Sequence, residues 1–260
     1  MAPQSHFPYG IQDISIMVFI VTSLIATTSQ TETHTMFVSY PCSHGKYSPS
    51  QLSAQKTGWF DVDLDQKPEH RWTHIIEQFE PQLVRIKKQL MPILSSQISP
   101  HLMKHNIASI DQFYDLAFSA FPSYIQAEMR GVYEKFPGVE RNMLVAMNLM
   151  YELTTACTSI VARKSKLSTD HLIHGRNMDG YGIMVYLENK LGRNYLRNSV
   201  VNVNFWRSGK IVSRGAHFVG LLFPMDGLKS GKFSFSINQR STTGNKEKII
   251  GDVIDWAKGT

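Results

Sequence analysis

Apolar positions step by threes and fours through the first half of the chain and by twos through much of the second. Trp72, Ile76, Phe79, Leu83, Ile86, Leu90 and Ile93 fall on one face of a helix punctuated by Pro81 and Pro92. The first turn of a helix needs no amide donor, so Pro81 predicts a kink or a restart at that point. Ser109 and Gln112 make a capping-box pattern ahead of IDQFYDLAFSAF. Pro122 opens a further helix with Ile125, Met129, Val132 and Phe136 on one side, and Gly138 punctuates its end. Residues 139–153 finish in MLVAMNLMYEL, apolar nearly all round, which predicts a helix buried on several sides.

From Cys157 the pattern changes. CTSIVAR and HLIHGRN read as short strands. Val201, Val203 and Phe205 alternate with Asn202 and Asn204, and Ser208 with Gly209 offers a hairpin turn before Ile211 and Val212. Phe233, Phe235 and Ile237 alternate with Ser234, Ser236 and Asn238, and Lys246–Lys258 reads as a helix. The fold class is therefore α+β, a helical subdomain followed by a sheet region. So few strands would leave sheet edges and an apolar face uncovered unless the helical region covers them.

Composition narrows the partners. A chain of 260 residues, 42% of them hydrophobic, can bury a substantial core, and two cysteines cannot make a disulfide-rich scaffold. The formal charge of +6 is unevenly spread: 11 Lys and Arg against 14 Asp and Glu over residues 1–156, and 16 against 7 over 157–260, or −3 and +9. This split fits attraction between the two parts, and also a basic face that meets an anionic membrane surface. Residues 14–26 (ISIMVFIVTSLIA) form an uncharged apolar run before TTSQ, shorter than the ~20 residues that span a bilayer. That pattern predicts a signal peptide over residues 1–29 and a compartment that permits disulfides, where Cys42 is a candidate for pairing. Asp61, Asp63 and Asp65 read as a solvated loop. No HExxH or CxxC occurs, and His171 and His174 fall on opposite faces of one strand, so no metal site is expected. Without a Walker loop, G-x-G-x-x-G or a nucleic-acid recognition motif, neither a cofactor nor a nucleic-acid partner is expected.

One stretch carries pointed chemistry. Cys157 sits where the helical pattern gives way to the strand pattern, and the next strand carries Arg176 and Asp179. YELTTACTSIVA followed by HLIHGRNMD resembles the acid ceramidase family, close to N-acylethanolamine-hydrolysing acid amidase, in the choloylglycine-hydrolase branch of the N-terminal nucleophile hydrolases. WFDVDLD, the Arg71–Trp72 pair, the helix ending in Tyr151 and Glu152, and VNVNFWRSGKIV extend the resemblance from about Gly58 onward.

The resemblance implies the first part of an αββα sandwich and a precursor cut between Ala156 and Cys157. The parts would be a helical α-like region, 30–156, and an incomplete β-like hydrolase region, 157–260, which stay associated after cleavage. Cys157 would attack a lipid amide, ceramide above all, with Arg176 favouring the thiolate and Asp179 holding the new α-amino group. The setting implied is lysosomal or secretory. Against the family pattern, Gln239 stands where a glutamate is expected, followed by a matching Arg240. The oxyanion-hole asparagine, a second arginine and the bridging partner of Cys42 are expected beyond Thr260, so the chain reads as C-terminally truncated. Other readings are an N-acylethanolamine amidase and a non-catalytic lipid-binding remnant.

Overall fold

The computed structural model describes residues 59–164, 171–180, 183–192, 195–196, 198–238 and 246–259. The leader, Cys42, Gln239 and Arg240 lie outside the described residues. In chain order the elements are β1 (Trp59–Asp63), α1 (Thr73–Leu102), α2 (Ile110–Ala120), α3 (Ser123–Lys135), α4 (Arg141–Thr154), β2 (Thr155–Lys164), β3 (His171–Gly180), α5 (Ile183–Leu191), β4 (Val200–Arg207), β5 (Lys210–Phe218), β6 (Asp226–Lys229), β7 (Phe233–Ser236) and α6 (Lys246–Lys258). The class is α+β, as the change of period predicts.

Pro81 neither ends nor restarts a helix. Helix α1 runs unbroken for 30 residues with Pro81, Pro92 and Pro100 inside it. Each proline removes an amide donor at a cost of ~3 kcal/mol, yet the row Ile76, Leu83, Ile86, Leu90, Leu94, Ile98 and Leu102 is buried along the whole length and outweighs it. Helix α2 starts at the predicted cap: Gln112 N donates to Ser109 Oγ at 3.1 Å, and Gln112 Oε1 accepts from Ala108 N at 2.7 Å. Helix α4 is buried from Met143 through Tyr151. Asn148 moors it, donating to Gly220 O at 2.9 Å and accepting from Leu222 N at 2.9 Å.

Of the acidic stretch read as a loop, Asp61 and Asp63 lie instead on an edge strand, and Asp65 falls in the exposed turn that follows. Phe60 and Val62 turn toward the core while Trp59 and Asp61 are exposed, and β1 pairs in parallel with β4, Trp59 opposite Asn202 through Asp63 opposite Trp206. The sheet order is β1-β4-β5-β6-β7, with every contact after the first antiparallel. Strands β2 and β3 form a separate antiparallel hairpin. One hydrophobic core joins the helices to the five-stranded sheet, so elements from both sides of Cys157 share it. The hairpin stays largely outside that core: Ile160, Val161, Leu172 and Ile173 are exposed. No helix among the described residues is long and apolar enough to cross a membrane.

His217 on β5 gives the core a pH dependence. It is 2% exposed, packs on Trp72 and Phe205 with ring centroids at 5.6 and 5.2 Å, and neither ring nitrogen makes a well-formed hydrogen bond among the described residues. Burial pushes its pKa down to about 4, with the Leu221 backbone offsetting part of the shift. A histidine held neutral in the fold contributes stability that is complete above its ordinary ~6.5 and is lost as pH falls toward about 4. The loss amounts to roughly 3 kcal/mol across that window. Burial pushes Glu128 and Asp226 up, so protonating them acts in the opposite sense. The difference between the wild type and His217→Leu isolates the histidine. Denaturation midpoints should fall less steeply with acid in the variant, and parallel curves would refute this assignment.

Candidate active site

The site is built on the β2–β3 hairpin. Helix α4 passes into β2 without an intervening loop, which makes Cys157 the third residue of the strand. The register pairs Cys157 with Met178 and Ser159 with Arg176. Residues two apart on a strand share a face, so Arg176 is the diagonal neighbour of Cys157. Its Nη2 lies 3.0 Å from Cys157 Sγ and donates to the carbonyl of Ile237 at 3.1 Å. Cys157 is a half-buried free thiol. A guanidinium in contact with a sulfur favours its anionic form, the nucleophilic one.

Tyr151, in the last turns of α4, approaches the same sulfur. Its hydroxyl is 3.5 Å from Sγ and also donates to Ile237 O. The Arg176 guanidinium carbon lies 6.0 Å from the Tyr151 ring centroid. Burial pushes the phenol well above its usual range, so it stays protonated.

A polar seam continues along this face toward β7. Ser159 Oγ meets Ser236 Oγ at 2.6 Å and Asn238 Oδ1 at 3.0 Å. His174 reaches Ser234 Oγ from Nδ1 at 2.8 Å and Ser236 Oγ from Nε2 at 3.3 Å. These contacts clip the hairpin to β7 and fix the direction in which Cys157 and Arg176 face. Asp226, which accepts from Ala216 N at 2.9 Å, lies buried within electrostatic reach of Arg176 and His174.

The structure thus brings Cys157 and Arg176 together and places Asp179 in the ladder opposite Ala156, next to the pair containing Cys157. Sequence reasoning missed Tyr151, Ser159, His174 and the Ile237 carbonyl. The alternation of serine with phenylalanine before Ile237 could have flagged the seam, because it sets a row of hydroxyls on one face of a strand.

Comparison with known proteins adds three findings. The family described as the beta subunit of N-acylethanolamine-hydrolyzing acid amidase matches residues 56–117, a segment that ends before Cys157. The chain is 31% identical over 230 residues to the acid ceramidase of Mus musculus and 28% identical over 224 residues to that of Homo sapiens, in each case covering 84% of this chain and 54% of the relative. The acid ceramidase of Balaenoptera acutorostrata scammoni is 28% identical over 257 residues, covering 94% of this chain and 60% of the relative. The chain spans about half the length of the curated relatives it matches.

Proposed function

The chain belongs to the acid ceramidase family, and on that premise we propose that it is a lipid amide hydrolase whose nucleophile is Cys157, exposed as a new N-terminus by cleavage after Ala156. The observation that carries this reading is the contact between Arg176 Nη2 and Cys157 Sγ, which sets a fixed cation on a free thiol at the mouth of a strand. In the proposed reaction the sulfur attacks the amide carbonyl carbon, the amine leaves with a proton from the α-amino group of Cys157, and an acyl thioester remains. Water then cleaves the thioester, releasing the fatty acid and restoring the thiol.

The working state of the pair follows from magnitudes. At a lysosomal pH near ~5, a free α-amino group with a pKa of ~8 is neutral in only about one molecule in a thousand. An ammonium beside a thiol or thiolate is therefore the resting arrangement, with the proton passed inside the pair. Asp179 is assigned to hold the ammonium, a role supported by its place in the ladder opposite Ala156.

Ceramide is the substrate favoured by the named relatives, giving sphingosine and a fatty acid. An acyl ethanolamide is the second reading, supported by the name of the family that matches residues 56–117. The regions 30–156 and 157–260 are proposed as the two parts after cleavage. They are held together by the β1–β4 ladder and the shared core. The route through the secretory pathway rests on the apolar run at 14–26, and the +9 charge of residues 157–260 suits an anionic lipid surface.

The test is mass spectrometry of the purified chain after incubation at acidic pH, with lipid analysis of parallel samples given ceramide or an acyl ethanolamide. A new N-terminus at Cys157 and release of fatty acid are expected, and Cys157→Ala should abolish both. Hydrolysis that survives in Cys157→Ala would remove the thiol from the mechanism. An uncut chain that binds lipid vesicles without hydrolysing either amide would mark a non-catalytic lipid-binding protein.

A further inference from the structure

The proposed reaction uses Arg176 at the sulfur but gives no task to Tyr151, whose hydroxyl also touches it. Tyr151 is 2% exposed and lies six positions before the nucleophile. A carbonyl only accepts, so the single phenolic proton is committed to Ile237 O, and the oxygen meets Sγ as an acceptor at 3.5 Å. Arg176 Nη2 holds the same carbonyl at 3.1 Å. The two groups therefore share one anchor and act on the sulfur in opposite senses. The guanidinium donates to it, whereas the phenol oxygen accepts from it.

We propose that Tyr151 is a positioning residue for the nucleophile, its hydroxyl anchored on Ile237 O and accepting the Cys157 S–H. Tyr151 precedes the cleavage junction and Ile237 follows it, so this hydrogen bond spans the cut, and the first part of the chain supplies a permanent piece of the site. The inference rests on Cys157 as the nucleophile and is independent of which amide is hydrolysed. Among the described residues, two other titratable groups lie nearby. His174 is engaged by Ser234 and Ser236, and Asp226 accepts from the Ala216 amide.

The test is alkylation of Cys157 in the full chain over a range of pH, resolved by peptide mass spectrometry so that the fragment spanning the junction reports the uncut protein. Tyr151→Phe removes the acceptor of the S–H. Its pH profile should move to lower pH, with roughly five- to tenfold faster alkylation at mildly acidic pH. Arg176→Gln should move the profile the other way. A Tyr151→Phe profile that superimposes on the wild type or moves to higher pH overturns the proposal. Should Tyr151→Phe fail to fold, 3-fluorotyrosine at position 151 keeps the ring and hydroxyl while weakening the oxygen as an acceptor. It should give a smaller shift in the same direction, and no shift overturns the proposal. Failure of the hydrolase reading looks different: the wild type forms no new N-terminus, yet the Tyr151→Phe profile still moves.

Discussion

Replacing Gly131 with alanine is expected to cost at least ~3 kcal/mol and lower the melting temperature by roughly 6–12 °C. A β-carbon at position 131 of α3 would lie 1.8 Å from the carbonyl oxygen of Glu69 and 2.5 Å from its Cα. Both partners are backbone, so no side-chain rotation relieves the overlap, and α3 must move off the short turn Pro68–His70. That turn leads into Arg71 and Trp72, which grip the buried Glu128 one turn earlier on α3. Arg71 Nη1 donates to Oε1 at 3.0 Å and Trp72 Nε1 to Oε2 at 2.8 Å. Separating the two elements leaves a buried carboxylate without its cation, a further penalty of several kcal/mol. Gly251→Ala in α6 is the control. Its β-carbon would meet only the His105 ring at 3.6 Å, an ordinary contact, and alanine in a helix interior should add ~0.5–1 kcal/mol. Thermal melts of the two variants should shift in opposite directions. A Gly131→Ala protein that melts with the wild type would contradict the close packing of α3 on this turn.

Arg176→Gln is expected to slow both self-cleavage and amide hydrolysis by roughly 100-fold, the order seen when one charge-stabilising donor is lost from an acyl-transfer site. Glutamine can still donate one hydrogen bond, so what disappears is the cation 3.0 Å from Sγ. Arg176→Lys separates charge from shape. An ammonium restores the positive field, but as a point donor it does not reproduce the placement of a planar guanidinium whose Nη2 bridges Sγ and Ile237 O. Its rate should fall between wild type and Arg176→Gln. Single-turnover acylation separates this effect from product release, and an Arg176→Gln enzyme that acylates at the wild-type rate would show that the cation is not used.

Much of this arrangement can be read from the chain, and the exceptions have physical causes. The buried stripe of α4 and the cap at Ser109 follow from local periodicity and side-chain chemistry, which survive folding unchanged. The restart read at Pro81 does not occur because local propensity is overruled by a continuous buried row contributed by the tertiary structure. The alternation of Phe60 and Val62 with Asp61 and Asp63 is that of a strand, hidden behind its charge. It pairs with a strand more than a hundred residues away, which no local reading supplies. The short helix α5 and strand β6 were not anticipated, each being brief and dependent on its neighbours. At the site, the motif named Cys157 and Arg176 because both lie on one hairpin. Tyr151 escaped because its approach to the sulfur depends on the turn of α4 into β2 and on a carbonyl 86 positions away.

The direct passage of α4 into β2 bears on what happens once the chain is cut. Thr155 and Ala156 are paired with Gly180 and Asp179 before Cys157 enters the ladder. Scission after Ala156 would leave this two-residue stub seated in the hairpin, its fresh carboxylate against the fresh ammonium. On the proposed reading the first product would be this tail, held in the ladder directly beside Cys157. Undocking that stub, rather than breaking the peptide bond, would set the lag before the first lipid is turned over.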